Sequence, residues 1–311
     1  MTNQQKIIKE QKVFPKENYT ATRINAKRGA KYSWPMGIWF TVFFVAPLLI
    51  IFIYSFLSKA LFGGIEWKFS LKAYKLMFQR AYGVITLNTL FIAVVATFIT
   101  ILLALPCGYA MAKSKHQTLF LGMVIIPFWT NSLIRIFAWM SILGSEGILN
   151  TLLMKLGIIN TYVQFLYNKQ AVILVCVYMF LPYAILPIFT AIDRFDFSLL
   201  EAARDLGATK PQSMFRVLLP NIKSGITTAL LFTFIPVFGI YTVPLLVGGK
   251  DSYMLGNVIV DQVNKTRNWP LAAAFSVLIT VVSGVCVLLM LTASKKTANK
   301  PIQEYEPTEI V

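Results

Sequence analysis

The chain has 311 residues, of which only 14% are charged, and its mean hydropathy is +0.65. Because a soluble protein usually carries about 25% charged residues, this composition excludes an ordinary globular protein and indicates an integral membrane protein. The net charge of +16 would also suit a nucleic-acid-binding protein. However, the basic residues are dispersed around long apolar segments, as is typical of loops beside membrane spans.

Residues 1–35 are polar and include eight basic residues, which predicts a disordered cytoplasmic arm. This segment does not resemble a secretory signal, since a long polar stretch precedes the first apolar run and no small-residue cleavage site closes that run. Trp34 and Trp39 flank the beginning of the run and are expected to anchor it at the membrane interface.

Six apolar runs follow, each close to the roughly 20 residues that a membrane-spanning helix needs. We therefore predict an all-α integral membrane fold with six transmembrane helices. The predicted spans cover about 36–57, 84–112, 119–143, 171–192, 225–247 and 271–293, and a polar tail of 294–311 comes after them.

Six spans place both ends of the chain on one side of the membrane. The loops and ends on that side hold 18 basic residues, against 10 on the other side. The positive-inside rule therefore predicts that both termini are cytoplasmic. The loop 59–81, with five basic residues, argues weakly for the opposite orientation.

The longest mainly polar segment between spans is Ser198–Pro220. It contains two patterns typical of a capping box, in which a cap hydroxyl and an acid or amide three residues later each bond the other's backbone amide. The first pairs Ser198 with Glu201 and the second pairs Thr209 with Gln212. Each pattern predicts the beginning of a short helix.

Gly207 lies where a left-handed residue would end the first of these helices. Pro211 is acceptable in the first turn of the second helix, and Pro220 is expected to end that helix. The segment therefore predicts a short helix, a sharp glycine turn and a second short helix.

The same segment resembles the EAA motif of ABC importer permeases: Glu201-Ala202-Ala203, three residues, Gly207, nine residues, and Val217-Leu218-Leu219-Pro220, with Val217 where the motif has Ile. The resemblance implies a type I ABC importer (MetI-like) permease core over about 82–293, within a six-helix domain of 36–293. It also implies that the loop 194–223 is cytoplasmic and docks into an ATPase subunit. The residues implied for ATPase coupling are Ser198, Glu201, Ala202, Ala203, Asp205, Gly207, Ala208, Leu219 and Pro220.

Four further runs resemble the PotB-type branch of these permeases, which serves spermidine and putrescine importers. They are PFWTNSLIR at 127–135, GILN at 147–150, LLVGG at 245–249 and NWP at 268–270. The resemblance implies a polyamine solute, a bacterial inner membrane location and three protein partners: an ABC ATPase, a second permease and an extracytoplasmic solute-binding protein. Membrane lipid is the remaining expected partner and nucleic acid is not one.

Catalytic chemistry has little support in the sequence. The predicted spans hold no acid before Asp193, the single histidine, His116, lies in a loop, and no metal-ligand cluster or phosphate-binding glycine loop is present. We therefore expect no cofactor or metal in this chain, with ATP and Mg²⁺ bound by the partner ATPase. Two other functions stay open: an ABC importer permease for another small solute, and a membrane enzyme or assembly factor that needs no ATPase.

Aromatic side chains beside the kink at Pro236 are candidates for lining the solute path, because aromatic faces bind ammonium groups by cation–π contact. Packing against lipid is the competing interpretation for each of them. Trp129 and Asn131 belong to a polar patch in the third span, and Asp251 follows the fifth span. The candidate path residues are Trp129, Asn131, Phe234, Phe238, Tyr241 and Asp251.

Arg135 is the one charge within a predicted span. A charge near the middle of a span costs about 2.5–3.5 kcal/mol on insertion scales, so this side chain needs a partner or water. Two interpretations stay open, since the side chain either extends to the outer interface or belongs to the solute path.

Overall fold

The structure is a computed structural model that describes residues 34–298. Five of its helices are long and apolar enough to cross a membrane. A pair of helices, Lys210–Asn221 and Lys223–Gly239, is bent by 71° and makes a sixth span when it is counted as one. This number agrees with the six predicted spans. The predicted arm (1–35) and tail (294–311) lie outside the described residues, apart from 34–35 and 294–298.

In chain order the helices are α1 (Trp34–Tyr54), α2 (Lys72–Met77), α3 (Arg80–Lys113), α4 (Gln117–Ile125), α5 (Ser132–Leu143), α6 (Ile148–Lys155), α7 (Lys169–Asp193), α8 (Ser198–Asp205), α9 (Lys210–Asn221), α10 (Lys223–Gly239), α11 (Thr242–Leu246), α12 (Leu255–Asn264) and α13 (Trp269–Ala298). Two strands, β1 (Leu57–Lys59) and β2 (Ile65–Phe69), form an antiparallel hairpin. Internal contacts divide the chain into one unit that ends at Ile53 and a second that begins at Tyr54.

Within the second unit, α3, α7 and α10 pack against one another and form the centre of the bundle. Glycines allow this close approach. A Cβ on Gly108 of α3 would lie 3.2 Å from the backbone nitrogen of Phe189, and one on Gly225 of α10 would lie 2.9 Å from the carbonyl oxygen of Pro187. Small residues at helix contacts are typical of membrane bundles, because dispersion contacts rather than hydrophobic burial hold the helices together in lipid.

The predicted third span is not one helix. α4 runs into a 3₁₀ turn, Ile126–Trp129, and the helix begins again at Ser132. Pro127 removes a backbone donor, and Asn131 then caps the new helix by accepting a hydrogen bond of 2.8 Å from the Leu133 amide. The apolar segment that is long enough to span therefore covers Ser132–Lys155 and not 119–143.

The fifth span is also interrupted. α10 ends at Gly239 and α11 begins at Thr242. The amide of Asn257, a side chain that is 4% exposed, donates a 3.1 Å hydrogen bond to the Tyr241 carbonyl at this break. The same carbonyl also accepts a 3.0 Å hydrogen bond from the Leu245 amide of α11, so the Asn257 side chain is a second donor that ties α12 to the break.

The hairpin β1–β2 is absent from the all-α prediction. Its turn contains Gly63 and Gly64, whose φ angles are +93° and +86°. The Gly64 amide donates a 2.9 Å hydrogen bond to the Arg267 carbonyl, two residues before α13. The hairpin is therefore held against the beginning of the last span.

Candidate functional site: the loop between the fourth and fifth spans

The first short helix of the loop, α8, begins where the sequence predicts but is capped differently. The expected capping box of Ser198 with Glu201 is wrong, because Phe197 is the cap residue and no side chain bonds in that pattern. Instead the Asp196 carboxylate accepts a 3.0 Å hydrogen bond from the Ser198 amide. Hydrogen bonds from the Ser198 hydroxyl and amide lower the pKa of Asp196 below its ordinary value.

The end of α8 is a Schellman motif built around Gly207, whose φ is +89°. The Gly207 amide donates to the Arg204 carbonyl at 2.8 Å, and the Ala208 amide donates to the Ala203 carbonyl at 3.0 Å. These bonds satisfy carbonyls that the helix end would otherwise leave free. The predicted left-handed glycine turn is thus confirmed.

The second short helix, α9, has the predicted capping box. The Gln212 side chain accepts from the Thr209 amide at 2.9 Å, and the Thr209 hydroxyl accepts from the Gln212 amide at 3.4 Å. Pro220 does not end this helix, which continues to Asn221 and bends at Ile222 into α10. A π-helical segment, Met214–Leu218, precedes the proline.

The buried side of the loop is anchored in the bundle. Leu200 of α8 and Leu218 of α9 are 2% and 1% exposed, and they belong to a hydrophobic cluster with Ile188 and Ile192 of α7. Ile222, at the bend into α10, is buried in the same cluster. A displacement of the two short helices would therefore be transmitted to the ends of α7 and α10, because packed side chains resist separation.

The opposite side of the loop faces away from the bundle. Leu206 is 90% exposed and Phe215 is 69% exposed, and an apolar surface of this kind is typical of a protein-docking site. The residues implied for ATPase coupling divide between the two sides: Ser198, Glu201, Ala202, Asp205, Gly207 and Pro220 are exposed, whereas Ala203, Ala208 and Leu219 are half-buried.

A contact that the sequence analysis missed ties the loop to α3. The Lys113 ammonium lies 5.4 Å from the ring centroid of Tyr109 and 5.3 Å from that of Phe197, which precedes α8. Each exposed contact of this kind contributes about 0.5–1 kcal/mol. The spacing of Tyr109 and Lys113 by four residues indicates a contact on one helix, but the participation of Phe197 depends on tertiary structure.

A cavity of about 560 Å³ lies beside the loop, between the ends of α7 and α10. Its wall is formed by polar and apolar side chains of these helices and of the loop between them, including Thr190 and Thr228 of the helices and Arg194, Asp196 and Asn221 of the loop. Because Asp196 belongs both to this wall and to the α8 cap, a change in the cavity is able to affect the beginning of α8.

The structure separates the candidate path residues. Phe234 and Phe238 are 8% and 2% exposed, and their rings stack on each other with centroids 5.6 Å apart inside the bundle. Tyr241 is half-exposed at the break in the fifth span. The remaining three, Trp129, Asn131 and Asp251, are exposed and lie on other elements. In this conformation the two phenylalanines are core residues, and a role in binding solute requires a different arrangement of the helices.

In the part of the chain that the structure describes, Arg135 contacts an aromatic ring and forms no ion pair with an acid. Its guanidinium carbon lies 5.2 Å from the ring centroid of Phe128, and its buried Nε has no hydrogen-bond partner among the described residues. Within residues 34–298, no three His, Cys, Asp or Glu side chains are grouped as metal ligands.

Comparison with known proteins identifies the family. Residues 100–298 match the family described as "Binding-protein-dependent transport system inner membrane component". The chain is 37% identical to the spermidine/putrescine transport system permease protein PotB of Haemophilus influenzae, over 84% of this chain and 92% of that protein. It is 36% identical to PotB of Escherichia coli, over 85% and 97%.

Solved structures share the fold. A bacterial ABC transporter involved in importing the acidic polysaccharide alginate matches with a TM-score of 0.68 and 18% identity, over 90% of this chain and 99% of that chain. The MetNI methionine ABC transporter matches with a TM-score of 0.52 and 21% identity, over 71% and 97%. Together with its several apolar helices and the match over residues 100–298, these findings show that the chain is a multi-pass membrane protein that belongs to the family of binding-protein-dependent transport system inner membrane components.

Proposed function

We propose that this chain is the permease subunit of an ABC importer that carries spermidine and putrescine. The observation that supports the solute is the 36–37% identity to PotB proteins over 84–85% of the chain. The chain is not itself an enzyme in this proposal. ATP and Mg²⁺ are bound by a separate ATPase subunit, and a second permease and an extracytoplasmic binding protein complete the transporter.

The loop 194–223 is the coupling element in this proposal. Its exposed side, with Glu201, Leu206 and Phe215, contacts the ATPase subunit, and its buried side, with Leu200 and Leu218, moves the ends of the central helices. ATP binding would then change which side of the membrane the path opens to.

The polyamine needs compensation for its positive charges along the path. Helices α3 and α10 carry no carboxylate, and α7 carries only Asp193, at its loop end. Strong negative charge must therefore come from the second permease or from the mouths of the path. This chain contributes aromatic faces, which bind ammonium groups weakly enough for release, at about 0.5–2 kcal/mol each.

We infer that the chain lies in a bacterial inner membrane, with both termini and the loop 194–223 on the cytoplasmic side. The distribution of 18 basic residues against 10 supports this orientation. An ATPase that uses cytoplasmic ATP also requires the coupling loop on that side.

Uptake by the reconstituted transporter tests the proposal. Labelled spermidine and putrescine should accumulate with ATP and the binding protein, whereas a neutral sugar and an anionic solute should not. If the sugar or the anion accumulates instead, the polyamine is not the solute, and the role as an importer permease still holds. Transport that continues without the ATPase would reject the whole mechanism.

A further inference from the structure

The hairpin β1–β2 and the short helix α2 carry an unusual amount of exposed apolar surface. Leu61 and Phe62, at the tip, are 98% and 96% exposed, and Trp67, Phe69 and Phe78 are 72–82% exposed. Large apolar side chains in such a group are unfavourable in water, so this surface indicates a contact with lipid or with another protein.

Hydrogen bonds and close contacts fix the position of the hairpin against the turn at Arg267. Gly63 donates a 3.1 Å hydrogen bond to the Ala60 carbonyl across the turn, and Gly64 is bonded to the Arg267 carbonyl. A Cβ on Gly63 would lie 2.6 Å from the Arg267 Cβ, so the turn sits directly against that residue. On α2, Ala73 and Met77 are buried in the core of the bundle. The exposed tip is therefore presented by a fixed scaffold.

The hairpin and α2 are close in sequence to the ends of three spans. Arg267 precedes Trp269, the first residue of the α13 span, by two residues, and Arg80 opens the α3 span three residues after Met77. The hairpin itself begins three residues after Tyr54, the last residue of the α1 span. Tryptophan and basic residues at such a level are typical of the membrane interface.

The charge of the segment points in the same direction. Residues 57–80 contain five basic side chains, Lys59, Lys68, Lys72, Lys75 and Arg80, and one acid, Glu66. In β2, Trp67 and Phe69 alternate with Glu66 and Lys68 and therefore project from the opposite face of the strand. Apolar side chains beside lysines suit a surface that combines acyl chains with anionic phosphates.

We propose that the hairpin Leu57–Phe69 is an interfacial anchor that inserts Leu61 and Phe62 among the lipids of the adjacent leaflet, while its lysines bind anionic headgroups. The anchor fixes the α1–α3 connection and the Arg267 turn at the membrane surface during transport. It also accounts for two of the five basic residues of the loop 59–81, Lys59 and Lys68, which oppose the predicted orientation. Because they bind lipid headgroups, they do not report the cytoplasmic side.

Fluorescence quenching in the intact transport complex tests the anchor. In a variant without Cys107, Cys176 and Cys286, a single cysteine at Phe62 is labelled with an environment-sensitive dye. The matched control is Glu66→Cys, on the face of β2 opposite Trp67 and Phe69. In liposomes with phosphatidylglycerol, a lipid with a quencher near its headgroup should quench the dye at 62 several-fold more than aqueous iodide does. The dye at 66 should show the reverse preference.

Other results overturn the proposal and indicate the true partner. Iodide quenching at position 62 that disappears when the binding protein is added would assign the surface to that protein. Protection from both quenchers without the binding protein would assign it to another permease subunit.

Charge reversal tests the proposed contact between the lysines and the anionic headgroups. Lys59→Glu with Lys68→Glu should reduce lipid quenching at position 62, whereas Lys115→Glu, a change of the same charge type in the exposed loop after α3, should leave it unchanged. Equal quenching in both variants would remove the headgroup contact from the proposal.

Discussion

The turn between the two short helices depends on the backbone of one residue, Gly207, whose φ of +89° valine adopts only with strain. A Cβ there would meet no atom within 4 Å, so the cost is backbone strain of about 1–2 kcal/mol. We expect Gly207→Val to leave the complex assembled but to lower solute-stimulated ATP hydrolysis by up to about tenfold.

Gly207→Asn is the matched variant, since asparagine adopts the left-handed conformation more readily than valine. Its loss of stimulated hydrolysis should therefore be smaller. Full stimulation in the valine variant would remove Gly207 from the coupling role.

The cap of α8 offers a test of one corrected contact. We expect Asp196→Ala to speed hydrogen exchange of the first amides of α8, because the Ser198 amide loses its acceptor. Glu201→Gln should leave exchange unchanged, since Glu201 makes no capping bond. Mass spectrometry of the peptide 196–205 measures both variants, and the opposite order would restore the capping box with Glu201.

The cap also has a direction of pH dependence. The pKa of Asp196 is lower in the folded chain, so its contribution is present above the ordinary carboxyl pKa and is lost as the pH falls through the lowered value. The difference in exchange between the parent and Asp196→Ala should therefore shrink in acid.

At the scale of elements, α12 stabilises the interrupted fifth span. The Asn257 side chain donates to the Tyr241 carbonyl and accepts a 3.3 Å hydrogen bond from the Met254 amide. Asn257→Leu would leave the amide of the buried residue Met254 without its acceptor, which costs about 1–3 kcal/mol, and would remove one of the two donors to the Tyr241 carbonyl, which keeps its bond from the Leu245 amide. We expect the melting temperature of the purified complex to fall by several degrees.

Asn264, at the exposed end of α12, provides the control for that change. Asn264→Leu should shift the melting temperature by less than a third as much. Similar shifts for both variants would mean that the break in the fifth span does not depend on this amide.

For the whole molecule, the orientation in the membrane is the property to measure. We expect single cysteines at Ser114 and Thr209 to be cytoplasmic and those at Ser70, Asn160 and Asp251 to face outward. Asp251 is chosen over its neighbour Ser252, because Ser252 is fully buried and bonded to Gly249. The predicted cytoplasmic positions Thr2 and Thr297 belong to the terminal segments.

An impermeant thiol reagent applied to intact cells should label Asp251→Cys and Asn160→Cys but not Thr209→Cys. Labelling of all positions after the cells are opened is the control for accessibility. If only the Thr209 variant is labelled in intact cells, the orientation is reversed.

The number of spans, the glycine turn and the second capping box of the loop 194–223 could be predicted from the sequence. Long apolar runs have few alternatives in a chain of this hydropathy, because every backbone polar group must find a partner within lipid. Gly207, Thr209 and Gln212 could be identified because a left-handed turn and a capping box are local, and their hydrogen bonds join residues no more than five positions apart.

Tertiary structure alone decided where the aromatic side chains lie and how the spans are interrupted. Phe238 and Tyr241 are three residues apart, yet the first is buried in the bundle and the second is half-exposed at the break. Hydropathy also assigns 225–247 to one apolar run, whereas the structure breaks it at 240–241, where the Asn257 side chain of α12 donates to the Tyr241 carbonyl. The hairpin also depends on a partner far along the chain, since Arg267 holds Gly64. Contacts between residues distant in sequence leave no local period, so only the packed structure reveals them.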